Sequence, residues 1–151
     1  MTMRDEYPHL LGIDNSKVRD SLDLATKFIF KKISEGKKLN FRKDFHARIA
    51  YHTPCHLERL GWEYFSIELL KMIPGVELTV LESCCCGIAG TYGFKKENYE
   101  VSQAIGRPLF EQIAAVGPDF VACDCETCKW QIEMSTGVSV KHPVSVLAEA
   151  I

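Results

Sequence analysis

Apolar residues recur along this chain in two rhythms, and the change between them divides it. Over residues 16–33 they fall at Val18, Leu22, Ala25, Ile29 and Ile33, the three-to-four spacing that gathers side chains on one face of a helix. Asp14 or Ser16 suits the N-cap, because a short side-chain oxygen there accepts from the unpaired first-turn amides. Gly36 suits the end. From Ala47 onward, short apolar runs alternate with helical spacings. The runs predict strands over 47–51, 76–81, 120–123 and 138–141. Helices are predicted over 61–73, with Trp62, Phe65, Leu69 and Met72 on one side, and over 99–115, 125–135 and 143–151. Gly106 and Pro108 fall inside the second of these, so an irregularity is expected there. Strand and helix taking turns predict an α/β fold, a parallel sheet of about four strands flanked by helices. The expected division is an N-terminal helical and basic extension over 1–45, then a cysteine-rich domain over 46–151. There is no internal repeat and no low-complexity segment.

Composition agrees with a packed domain. The chain has 151 residues, 46% hydrophobic and 25% charged, enough apolar matter for a real core. A net charge of −2 gives no general attraction to nucleic acid. No apolar run approaches the ~18–20 residues of a membrane span, and the polar opening lacks the features of a signal peptide. A reducing compartment is therefore expected, with no transmembrane helix. Charge is uneven, however. Lys27, Lys31, Lys32, Lys37, Lys38, Arg42, Lys43 and Arg48 face only Glu35 and Asp44 in the same stretch. That stretch is either a solvated face or a docking surface for an acidic partner or anionic lipid.

Cysteine changes the picture most. There are seven: Cys55, Cys84, Cys85, Cys86, Cys123, Cys125 and Cys128. An odd number with three in a row makes a poor disulfide framework, since adjacent cysteines cannot bridge without distorting the peptide. In a reducing compartment such a cluster points to metal or redox chemistry. Each group follows a predicted strand, and in an open parallel sheet the carboxyl ends of the strands lie along one edge, where such folds bind ligands. Cys55, Cys85, Cys86, Cys125 and Cys128 should therefore converge. Cys125-x-x-Cys128 opens a helix, whose free amides and positive end favour thiolate, the form that binds metal. Soft thiolates select iron–sulfur clusters, zinc or copper(I). One zinc takes four ligands, so five or more convergent thiols suit a larger cluster better. A dithiol reductase resting on Cys125 and Cys128 is a further option, as is a structural zinc module. Gly87, Gly90 and Gly93 let the loop after Cys86 approach closely, and its spacing fits neither standard phosphate loop. His52 and His56 bracket Cys55 and can hydrogen-bond a ligand sulfur. Cys84 and Cys123 are expected to pack as small apolar groups.

With Cys55, Cys85-Cys86-Gly87 and Cys125-x-x-Cys128 in that order, the chain resembles the cysteine-rich CCG-domain family. Within it, three strings are similar to the C subunits of anaerobic glycerol-3-phosphate dehydrogenases. They are Tyr51-His52-Thr53-Pro54-Cys55-His56, the run from Cys85 to Lys95, and Asp124-Cys125-Glu126-Thr127-Cys128-Lys129-Trp130. The opening Arg4-Asp5-Glu6-Tyr7-Pro8 looks similar too, so the resemblance covers essentially the whole chain. It implies an iron–sulfur cluster, 4Fe–4S and in some relatives non-cubane, at the five cysteines, with zinc as the alternative. It also implies electron transfer from the catalytic flavoprotein subunits of glycerol-3-phosphate dehydrogenase toward membrane quinone, from a peripheral position on the cytoplasmic side of the inner membrane. Such proteins usually carry two ferredoxin-type motifs and two cysteine-rich modules. Only one module is present here, so the chain is expected to be the C-terminal part of a longer protein, with no catalysis of its own.

Overall fold

The computed structural model describes residues 2–151. Four strands, β1 (Ala47–Tyr51), β2 (Val76–Val80), β3 (Phe120–Ala122) and β4 (Val140–Lys141), pair in the order β2-β1-β3-β4, all parallel. The helices are α1 (Tyr7–Leu11), α2 (Ser16–Arg19), α3 (Ala25–Ser34), α4 (Cys55–Glu58), α5 (Glu63–Lys71), α6 (Tyr99–Val116), α7 (Glu126–Thr136) and α8 (Pro143–Ala150). The two central strands are apolar throughout except for Arg48, because both faces of the sheet are covered. Alternation decides which side chain goes where. Ala47, Ile49, Tyr51, Phe120 and Ala122 pack against Leu69 and Leu70 of α5 and Val146, Leu147 and Ala150 of α8. Ala50 and Val121 face the other way, onto Leu109 and Ile113 of α6 and Ile132 of α7. Ile29, Phe30 and Ile33 of α3, with Leu39, Phe41 and Phe45, extend the first of these layers. No helix among the described residues is long and apolar enough to cross a membrane.

The α/β class, the parallel sheet and its helical flanks match the expectation, and strand β1 has the predicted bounds. The helix expected over 16–33 is a correction: it is two helices, α2 and α3. Between them Asp23 accepts the Leu24 amide through its own side chain at 3.1 Å, and short acidic and hydroxyl residues compete with helical amide bonding in this way. Nor do Asp14 and Ser16 cap it. Asn15 holds the cap position, with its side-chain amide donating to the carbonyls of Met3 (2.5 Å) and Arg4 (2.9 Å). Asp14 instead accepts the Ser16 amide at 2.9 Å. The irregularity expected in α6 is also absent; the helix runs unbroken through Pro108. Ala104, whose carbonyl loses its amide partner, is exposed, and water can serve that oxygen.

Candidate metal centre

The chain runs from β1 outward to β2 on one side, then crosses to β3 and β4 on the other. The crevice between β1 and β3 is thus the point where strand order reverses, the place where open parallel sheets receive ligands. Backbone pairing continues past the strand ends there. The His52 amide donates to the Ala122 carbonyl at 3.0 Å, and the Cys123 amide to the Lys141 carbonyl at 3.0 Å. Pro54 precedes α4 in an extended conformation, so that Cys55 opens the helix. Cys125, also extended, is the N-cap of α7, and Cys128 lies on that helix's buried face. The cysteines of the 84–86 loop arrive from the end of β2.

Sulfur meets sulfur at this crevice. The Cys86 and Cys128 Sγ atoms are 3.2 Å apart and both are buried. Cys125 is half-buried, with its Sγ 3.2 Å from the Thr127 hydroxyl. Cys55 and Cys85 lie exposed at the rim. Burial raises the Cys55 thiol, and the nearby sulfurs of Cys85, Cys86 and Cys125 raise it further. Contact with the Cys128 thiol draws Cys86 well below the ordinary thiol range, with burial opposing and His52 assisting. The same Cys128 thiol, with help from Thr127 and against burial, draws Cys125 down to about 5. Cys128 moves the other way: Cys123, Cys125 and Cys86, and then burial, hold it as a thiol. The five predicted cysteines therefore share one electrostatic neighbourhood. Cys86 and Cys125 ionise easily, whereas Cys55 and Cys128 are held as thiols by burial and by the sulfurs crowded around them. A soft cation would relieve that repulsion, so the donor set suits a thiolate-bound metal.

The remaining predicted residues fall as follows. His52 is buried, with a ring nitrogen and the Cys123 and Cys128 sulfurs all within 4.8 Å of one another. His56 is exposed, its Nδ1 3.9 Å from Cys55 Sγ. The Gly87 amide donates to Cys85 Sγ at 3.3 Å. Gly87 has φ +90, and a Cβ there would run into the Ser102 carbonyl of α6. Gly93 also packs on Ser102, whereas Gly90 stands free in the loop. Cys84 is half-buried and accepts from Gln112 Nε2 at 3.3 Å. Cys123 is buried in the apolar layer, as expected of a packing residue, yet its sulfur also reaches the thiol group.

Asp124 went unassigned on sequence alone. Its two oxygens accept from the Tyr51 hydroxyl and the Ser66 hydroxyl, each at 2.7 Å, and His142 Nε2 stands 3.8 Å away. This carboxylate ties the cysteine loop after β3 to β1, α5 and the start of α8. The available signal was an acid flanked by two cysteines directly after an apolar strand.

Residues 49–133 match the cysteine-rich domain designated CCG. The chain is 58% identical over 149 residues to the C subunit of anaerobic glycerol-3-phosphate dehydrogenase from Escherichia coli (strain K12), covering 99% of this chain and 37% of that protein. It is 30% identical over 137 residues to the B subunit of the CoM/CoB fumarate reductase from Methanothermobacter marburgensis, 89% of this chain and 26% of that one. Lactate utilization protein A of a Geobacillus strain is 33% identical over 137 residues, 82% of this chain and 54% of that one. The chain thus spans little more than a third of the dehydrogenase protein it matches. Its cysteine order, the thiols gathered at the sheet's switch point and the match over 49–133 together place it in the cysteine-rich domain family.

Proposed function

We propose that the chain is an electron-transfer module whose Cys55, Cys85, Cys86, Cys125 and Cys128 hold an iron–sulfur cluster, of the 4Fe–4S class. The gathering of these five thiols at one crevice, with Cys86 and Cys128 in contact, carries the reading. A cluster so held would supply one-electron chemistry. The protein's own part is to keep sulfurs available as thiolates, to bury Cys86 and Cys128 away from water, and to hold the loop after β3 through Asp124. The Gly87 amide, donating to Cys85 Sγ, tunes the electron density on that sulfur. The similarity to the E. coli protein supports a place in a glycerol-3-phosphate dehydrogenase complex. There the module would take electrons from flavoprotein subunits and pass them toward membrane quinone on the cytoplasmic side. Residues 1–45 would serve as the docking extension and 46–151 as the electron-carrying domain.

A second reading, one zinc ion, is favoured by the trio of His52, Cys123 and Cys128, whose donor atoms lie within 4.8 Å of one another. With Cys86, in contact with Cys128, they make a four-ligand set of the structural zinc type. Iron, acid-labile sulfide and zinc per chain after anaerobic purification decide between the two. Iron with matching sulfide is expected. Stoichiometric zinc without labile sulfide would remove the electron-transfer role.

A further inference from the structure

Beyond the end of α3 the chain is held at two points. Gly36, with φ +95, lets the helix stop. The Gly36 and Lys37 amides donate back to the carbonyls of Ile33 (2.9 Å) and Lys32 (3.1 Å). Further on, the Arg42 amide donates to the Ala150 carbonyl at 2.8 Å. Between these anchors Leu39 and Phe41 pack against the same core layer as Ile33. With Met72, the C-cap of α5, these three side chains line a pocket of about 220 Å³ whose remaining walls are Lys37 and Lys38. Ile33, Leu39 and Phe41 are half-buried and Met72 is exposed. An apolar hollow left open to solvent and rimmed by charge marks a contact site.

The charge at the rim has one sign. The neighbouring acids are already engaged, Glu35 by Lys32 at 2.8 Å and Glu68 by Lys71 at 2.9 Å. Lys37 and Lys38 are exposed and have no ion-pair partner among the described residues. The carbonyls of Lys32 and Ile33 at the end of α3 are taken by amides, so they do not compete for these two cations. An occupant that matches the site is therefore apolar at one point and acidic around it.

We propose that this pocket docks an acidic segment of a partner protein, which seats one large apolar side chain among Ile33, Leu39, Phe41 and Met72 and sets its carboxylates against Lys37 and Lys38. The volume suits a leucine or phenylalanine side chain, since an apolar cavity of about 150 Å³ accepts benzene. An anchor seated in a pocket and ringed by polar contacts is also the arrangement that concentrates binding energy between proteins. A basic, apolar face could otherwise meet an anionic membrane, but a bilayer engages apolar surface by area, whereas a hollow takes one side chain in one place. Because its walls rest on the core, little ordering is needed on binding. The pocket lies in the segment leading into β1, away from the strand ends that carry the cysteines. The proposal deepens the docking role given above to residues 1–45 and rests on it, but not on what the cysteines hold.

The test is titration of the chain at low salt with three peptides: acetyl-Glu-Asp-Phe-Asp-Glu-amide, the same peptide with Ser in place of Phe, and its uncharged Gln/Asn counterpart. The NMR methyl signals of Ile33, Leu39 and Met72 report the pocket. The acidic Phe peptide should bind roughly tenfold more tightly than either control, as burial of one aromatic side chain allows, should move those signals, and should weaken as salt is raised. Lys37→Gln combined with Lys38→Gln should reduce its affinity to that of the uncharged peptide, and Met72→Glu should abolish the preference for Phe. All three side chains are exposed, so these changes spare the fold. Equal binding of the Phe and Ser peptides would refute the pocket while leaving the basic face as a docking surface. No binding of any peptide would overturn both. Phosphatidylglycerol vesicles that move the three methyl signals where the Phe peptide does not would assign the site to a membrane and overturn the proposal. Iron and sulfide content, measured on the same preparation, bears on the cluster alone.

Discussion

Three consecutive cysteines, 84–86, have three different surroundings. Cys84 is half-buried against Gln112, Cys85 is exposed and accepts the Gly87 amide, and Cys86 is buried against Cys128. Cys84→Ser should therefore keep the full metal load, whereas Cys86→Ser and Cys128→Ser should lose or convert it, read as iron and sulfide per chain. Cys123→Ala separates the two metal readings, because a five-thiol cluster retains iron without it and the histidine-containing zinc set does not survive its loss. That the sulfurs would converge was legible in the sequence, since each group follows a strand. That Cys123 would also reach them was not, because its place in an apolar run says only that it is buried. Tyr51 offers a pH test of the support beneath the site. Burial, and then the Asp124 carboxylate, push its phenol far above the ordinary value of 10.0. Above about pH 10 the unfolded chain releases that proton and the folded chain keeps it, so the unfolded state binds fewer protons. Stability should fall as pH rises, by up to ~1.4 kcal/mol per pH unit from this group. Urea unfolding above and below that pH should show the fall in the wild type, with this contribution gone in Tyr51→Phe.

At the scale of elements, α6 is the wall against which the Cys86-Gly87 backbone is pressed. A Cβ on Gly106 would meet the Cys86 carbonyl at 2.5 Å, just as one on Gly87 would collide with the Ser102 carbonyl. Read from sequence, Gly106 is only a weak spot in a helix, for no local pattern reveals that another backbone lies against it. Gly106→Ala and Gly87→Ala should each destabilise the chain by several kcal/mol, in the range of severe backbone clashes, and should disturb metal loading. Gly90→Ala faces open space and a left-handed backbone alone, so its expected cost is about 1 kcal/mol. Thermal unfolding of the three variants checks the order. The strands were readable because both faces of the sheet are buried, which leaves short runs of apolar residues. The break between α2 and α3 was not, because the apolar spacing continues across it, whereas α2 ends at Arg19 and Asp23 takes the Leu24 amide just ahead of α3.

Over the whole molecule, the basic residues of the 37–45 segment and the sulfurs lie at opposite ends of the sheet. The cysteines follow the carboxyl ends of the strands, whereas residues 37–45 lead into the start of β1, and the Arg42 amide bonds the Ala150 carbonyl at the far end of α8. Lys27, Lys32, Arg42 and Arg48 pair with Asp23, Glu35, Asp44 and Asp119. Lys31, Lys37, Lys38 and Lys43 are exposed and have no ion-pair partner among the described residues. If this face docks an acidic partner, such as the flavoprotein subunits proposed above, that binding should weaken as salt is raised, because screening acts over about 8 Å at physiological ionic strength. Neutralising these four lysines should then remove most of the salt dependence, as seen in sedimentation or surface-binding titrations. Such a face would leave the thiol edge free for the groups that give and take electrons. The account rests on what those sulfurs hold, and X-ray absorption at the iron and zinc edges of the anaerobically purified chain examines this most directly. It should show iron with a first shell of sulfur and further scattering from neighbouring iron atoms. Zinc alone, with a shell containing imidazole nitrogen and no second metal, would contradict it.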